Sequence, residues 1–114
     1  MAEWTVVGTS EANTAKTITK AAANNKRHYI TAFCVVSTGA AVGAETEISI
    51  KDGDTTVWKT YFSDSSEQGA ERKQNFGRDG AIPLSYGNAA NLSVGAGGAG
   101  CIYVLNLKGF TGGR

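Results

Sequence analysis

The stretch TEISIKDGDTTVWKTYF, residues 46–62, decides the fold class. Ile48 and Ile50 fall on one side of a period-two alternation, and Glu47, Ser49 and Lys51 on the other. That is the pattern of a strand with one face in a core and one in water. Asp52-Gly53-Asp54 breaks the alternation with residues that tolerate the positive φ of a tight hairpin loop. The alternation then resumes, with Trp58, Thr60 and Phe62 on one face and Val57, Lys59 and Tyr61 on the other. Two strands joined by so short a turn must run antiparallel.

Working outward, similar short runs recur. Residues 4–7 are apolar, and 16–20 alternate weakly and are rich in Thr. RHYITAFCVVS (27–37) is the strongest run, with Ile30, Ala32, Cys34 and Val36 on one face and Tyr29, Phe33 and Val35 on the other. Two apolar faces predict a central strand. Residues 81–84 form a short extended segment whose Pro83 favours an edge or a strand start. Residues 91–94 and 101–107 complete the set, with Cys101, Tyr103, Leu105 and Leu107 on one face. Residues 63–74 are polar and read as a long loop. Ser10 is a possible cap for a helix over 10–25, but Thr14, Thr17, Ile18 and Thr19 prefer strands. About eight short strands with no helical crossovers exclude a parallel α/β sheet and suit a sandwich or a small barrel.

The chain has 114 residues, enough for one domain, 1–114. Hydrophobic residues at 41% and charged residues at 18% are the reverse of a disordered tail. A net charge of +1 argues against a nucleic-acid partner held by phosphate neutralisation. No stretch has the length of apolar chain needed for a membrane-spanning helix, so no membrane partner is expected. Met1-Ala2-Glu3-Trp4 carries no basic region followed by an apolar one, so no secretion signal is expected. Cys34 and Cys101 fit no metal spacing. They read as buried free thiols, the alternative being a bridge between two close strands.

Few residues suggest chemistry. Gly95 to Gly100 spell G-x-G-x-x-G, but a dinucleotide site needs a helix directly after the glycines, and a strand-like run follows. A hairpin loop joining the last two strands is the expectation. His28, the sole histidine, reads as a surface or edge residue. Asp52 and Asp54 offer too few oxygens for calcium. Glu45 with Glu47, and Glu67 with Glu71, lack the apolar surroundings of an acid–base pair. No enzyme activity, cofactor or metal is expected.

Partner binding is the remaining class. Trp4, Val6 and Val7 sit in an apolar N-terminal arm, residues 1–8, which either adds a strand to its own sheet or reaches a neighbouring subunit. Trp58 and Tyr61 lie on opposite faces of one strand, so one of them is a candidate outward aromatic. These five residues are the expected partner interface. Residues 109–114 read as a flexible Gly-rich tail.

The textures of TAKTITKAAANNKRHYITAF (14–33), EISIKDGDTTVWKTYF (47–62) and IPLSYGNAANLSVGAGGAGCIYVLNLKGF (82–110) are similar to those of small all-β virion proteins of tailed bacteriophages. The chain resembles in particular the head decoration, or cement, proteins with a jelly-roll-like sandwich. That resemblance implies a single antiparallel β-sandwich without enzyme activity, made in the host cytoplasm and carried on the capsid surface of the virion. It implies binding to the phage major capsid protein, bridging neighbouring capsid subunits as a homo-dimer or homo-trimer. Two other readings stand beside it. One is a glycan- or receptor-binding sandwich of a tail fibre or spike, using Trp58, Tyr61, Tyr86 or Tyr103 as stacking platforms. The other is a head–tail connector or tail-tube subunit.

Overall fold

Residues 46–62 form a hairpin of β4 (Thr46–Asp52) and β5 (Thr55–Phe62) in a computed structural model that describes residues 2–63 and 66–113. Asp52 pairs with Thr55, leaving Gly53-Asp54 as a two-residue loop. Positive φ falls on Gly53 alone, at +61°, as a type II′ turn requires. Ile48, Ile50 and Phe62 are fully buried, and Val57, Lys59 and Tyr61 face water, as their alternation predicts.

The rest of the chain wraps around this hairpin. The other strands are β1 (Ala2–Thr9), β2 (Lys16–Lys20), β3 (Lys26–Thr38), β6 (Glu71–Asn75), β7 (Ile82–Pro83), β8 (Ala90–Val94) and β9 (Ile102–Gly113). The pairs β4–β5, β3–β6, β2–β8 and β1–β9 are nested like successive steps of one long hairpin whose tip is Gly53-Asp54. Rolling that hairpin gives two sheets, β1-β9-β3-β6 and β2-β8-β4-β5, with β7 adding to β3. This is the strand order of a jelly roll. All pairings among the described residues are antiparallel, and no helix is present among them. Tyr103, Leu105 and Leu107 of β9 face Ile48, Ile50 and Leu92 of the other sheet across one apolar core. The whole measures 45 × 22 × 19 Å.

Several expectations are corrected. The structure has nine strands rather than eight, because residues 71–75, read as loop, form β6. ERKQN has no apolar alternation, and the strand is held by backbone pairing to β3 from Ala32 to Val36. Residues 16–20 are β2, which excludes a helix across 10–25. In β3 the register shifts between Ile30 and Ala32, leaving Thr31 as an extra residue. This bulge turns the strand over. Ile30 is buried, and past the bulge the inward set becomes Phe33, Val35 and Ser37, so Ala32, Cys34 and Val36 face outward instead of sharing a side with Ile30. The glycine run 95–100 joins β8 in one sheet to β9 in the other, so it is a crossing between sheets and not a hairpin loop. Gly98 N–H donates to Asn13 Oδ1 at 3.0 Å and Gly43 N–H donates to Gly97 O at 2.8 Å, tying the crossing down.

Residues near both ends of the described chain lie within the sheet. Residues 2–9 pair along their length with β9. Residues 109–113, expected as a flexible tail, continue β9, while Arg114 is outside the described residues. Gly109 is required there. A Cβ would sit 2.2 Å from Tyr29 O and 2.6 Å from the Trp4 ring. His28, expected at the surface, is 1% exposed. Inward-facing residues of β3 before the bulge share the interior with Trp4, whose ring meets the imidazole edge-on at 5.5 Å.

Candidate functional site

The two sheets present unlike outer faces. On the four-stranded sheet the outward positions are mostly polar, with Val57 and Tyr61 of β5 exposed among them. Thr17 and Ser93 hydroxyls share a hydrogen bond of 2.8 Å, and Thr19 Oγ1 donates to Asn91 Oδ1 at 2.6 Å. Lys59 Nζ lies 3.6 Å from Glu47 Oε1, to which Tyr61 Oη donates at 3.3 Å. This is the normal solvated side of an antiparallel sheet.

On the five-stranded sheet, register sets outward residues in rows across β1, β9, β3 and β6. One row is Thr9, Val104, Val36, Glu71, and the next is Val7, Asn106, Cys34, Lys73. A third row is Thr5, Lys108, Ala32, Asn75, and Ile102 lies beside Thr38 past the first. Val7, Val36, Val104, Ile102 and Cys34 therefore form an apolar patch on the outside of the sandwich. Val7, at the edge, is 65% exposed, and the others are half-buried. A rim of charge borders the patch, where Lys73 Nζ lies 3.0 Å from Glu71 Oε1. An open depression of about 430 Å³ lies in the same face, between Lys73 and Lys108 and floored by Ala32 and Cys34. Burial and the neighbouring Glu71 carboxylate push the Cys34 thiol up from its ordinary pKa against the pull of Lys73, so it stays protonated at neutral pH.

Of the residues expected at an interface, only Val7 belongs to this face. Trp4 and Val6 point into the sandwich and pack on the core. Trp58 also points inward, against Phe33 at 5.0 Å and Phe76 at 5.9 Å. Tyr61 is the outward aromatic of its strand, 41% exposed, on the opposite sheet. Tyr103 is fully buried, so it offers no stacking platform, and burial pushes its phenol up to about 12. Val36, Val104 and Ile102 went unnoticed as surface residues because two-faced apolar runs read as central strands buried on both sides. The available signal was Ile102 and Val104 alternating against the buried Tyr103 and Leu105.

Other candidates resolve into structure. Burial alone would raise the pKa of Asp52, but Ser85 Oγ and Asn88 Nδ2, at 2.8 and 3.0 Å, the Ser85 N–H at 3.0 Å and the Arg27 charge outweigh it and hold the carboxyl below its ordinary value. Both oxygens are thereby committed to fastening the loop after β7 to the hairpin tip. Among the described residues, no group of three or more His, Cys, Asp or Glu is placed to hold a metal ion. Cys34 faces outward and Cys101 inward, and both are free thiols. Among the described residues, no helix is long and apolar enough to cross a membrane.

Comparison with known proteins adds to the fold. No family model matches the chain, and no curated protein matches it. Among solved structures, dimeric latent PorU from Porphyromonas gingivalis matches with a TM-score of 0.51 at 13% identity, over 96% of this chain and 13% of that one. The chain thus spans a small part of that protein, and the likeness is one of fold. The coat protein of Tobacco streak virus matches at 11% identity over 93% of this chain and 85% of that one, with a TM-score of 0.33. That score is too low to carry an argument.

Proposed function

We propose that the chain is a non-enzymatic structural protein of a phage virion, docked on the outer surface of the capsid and bridging neighbouring major capsid subunits. The observation that supports this is the unlike pair of outer faces. A polar face suits solvent, and an apolar face with a charged rim has the anatomy of a protein interface. Four strands about 4.8 Å apart and some five residues of strand give that face roughly 300 Å². One such contact is weak, and a bridging protein gains from many copies and from two contacts each.

The glycan-binding reading has less support. Its exposed tyrosines do not share a platform. Tyr61 pairs with Glu47 at one end of β4, and Tyr86 adjoins Ser85, which is fastened to Asp52 at the other, about 17 Å away. The ring of Tyr86 is moreover covered by Arg27 at 4.3 Å. Co-sedimentation with capsids lacking the protein tests the proposal. Binding that Val36→Asp abolishes is the expected result, and binding to a glycan array but not to capsids would overturn it.

A further inference from the structure

We infer that β1 is a self-pairing edge, through which two copies of this chain join antiparallel into one continuous sheet. An open sheet edge is a template for another strand, and proteins that stay monomeric blunt theirs with short length, Lys, Pro or bulges. Three of the four ends of the two sheets carry such devices. Strand β2 has five residues with Lys16 and Lys20 at its ends. Strand β5 has a register shift opposite Ile50–Lys51, carries Lys59, and has its Tyr61 carbonyl taken by Arg72 Nε at 3.0 Å. The β6 and β7 side of β3 offers Glu71, Arg72 and Lys73 and then Pro83.

Strand β1 has none of them in its own sequence, although β2 lies beside it and Lys20 Nζ comes within 5.9 Å of the Trp4 ring. It runs for eight residues, AEWTVVGT, with no Pro, no Lys and no register shift against β9. Its sole charged side chain, Glu3, is engaged by Arg78 at 3.1 Å. Among the described residues its backbone partner within the sheet is β9 alone.

The strand is also complementary to itself. With the two-fold axis at Val6, Thr5 faces Val7 of the second copy, Trp4 faces Gly8, and Glu3 faces Thr9. No like charges of β1 itself oppose, and β-branched residues meet across the centre. A two-fold contact of this kind is closed, which stops at a dimer. It would bring the two apolar faces edge to edge, with Val7 of each copy near the axis. The inference does not depend on the capsid reading, because it concerns the isolated chain.

Sedimentation equilibrium on the purified chain tests it, alongside circular dichroism to confirm folding. The wild type should dimerise at about 100 µM, with amide protection in residues 3–9 rising with concentration. The double variant Thr5→Lys/Val7→Lys, altering outward side chains only, should weaken the dimer by at least tenfold. Mixing it with Thr5→Glu/Val7→Glu should restore association as a heterodimer, because lysine then faces glutamate. Val36→Asp, two strands in from the edge, should leave the dimer intact even where it abolishes capsid binding. A monomeric wild type, a dimer indifferent to the lysines, or a failure of the mixture to associate would each overturn the inference.

Discussion

Nδ1 of His28 lies 2.7 Å from Oγ1 of Thr111, joining the buried end of β3 to the end of β9. The other imidazole nitrogen, Nε2, lies 2.8 Å from the Ala21 carbonyl. A carbonyl only accepts, so Nε2 carries a proton, and in the neutral ring Nδ1 accepts from the Thr111 hydroxyl. That hydroxyl in turn accepts from Trp4 Nε1 at 3.0 Å. One threonine therefore fastens three strands, and the residues expected as a free tail and a docking arm are parts of the same buried knot. Thr111→Val would leave two polar groups short of a partner and should cost about 2 kcal/mol in urea unfolding, with Thr111→Ser close to wild type.

Trp4 supports the same knot by packing. Trp4→Ala should destabilise the fold by about 2–3 kcal/mol, and deleting residues 1–8 should lower the melting temperature markedly. A truncated chain melting like the full one would show that β1 contributes nothing to its own sheet.

Tyr103 illustrates the opposite case. Its hydroxyl is buried without a hydrogen-bond partner among the described residues, and Thr46, a neighbour, donates its own proton to Ala44 O at 2.8 Å. Tyr103→Phe should be neutral or stabilising by up to about 1 kcal/mol. The pKa of Tyr103 is raised from 10.0 to about 12, chiefly by burial. Stability is therefore unaffected by this group below pH 10 and falls as pH rises from 10 towards 12, where the unfolded phenol ionises and the buried one stays protonated. Thermal melts above pH 10 should show a fall in stability that the phenylalanine variant lacks in part.

Asp52 should act at the acid end. Its folded carboxyl lies below its ordinary value of 3.8, so its stabilisation is present above that value and lost as pH falls through the lower one. Asp52→Asn should flatten that part of the acid-unfolding curve and loosen residues 85–88, read by amide exchange.

The hairpin over 46–62 was legible because alternation, turn chemistry and pairing all act within a few residues. Its position as the tip of a rolled hairpin was not, since nesting β3 on β6 and β1 on β9 depends on contacts far apart in sequence. The outer face was hidden for a related reason. The bulge at Thr31 moves Cys34 and Val36 from inside to outside, and no residue type at 30–32 announces it. Likewise β6 exists through its partner's backbone, which the polar letters ERKQN do not record. Val7 was legible as an apolar residue of a candidate interface, but the sequence did not say that Trp4 packs inward or which of Trp58 and Tyr61 does, because aromatic residues serve either role.

The proposed docking face should separate from stability. Val36→Asp and Val104→Lys sit on the outside of the sheet and should cost about 1 kcal/mol or less, while Tyr61→Ala on the polar sheet should leave capsid binding unchanged. A binding loss that tracked unfolding instead would remove the case for a docking surface.

A cryo-electron microscopy map of the particle that carries the chain is the most direct measurement. The expected map shows the sandwich on the outside of the shell, with Val36, Val104 and Ile102 against major capsid subunits and the Thr17–Ser93 face toward solvent. Density in a tail fibre or connector ring, or a sandwich seated on the shell through Thr17, Ser93 and Lys59, would contradict it.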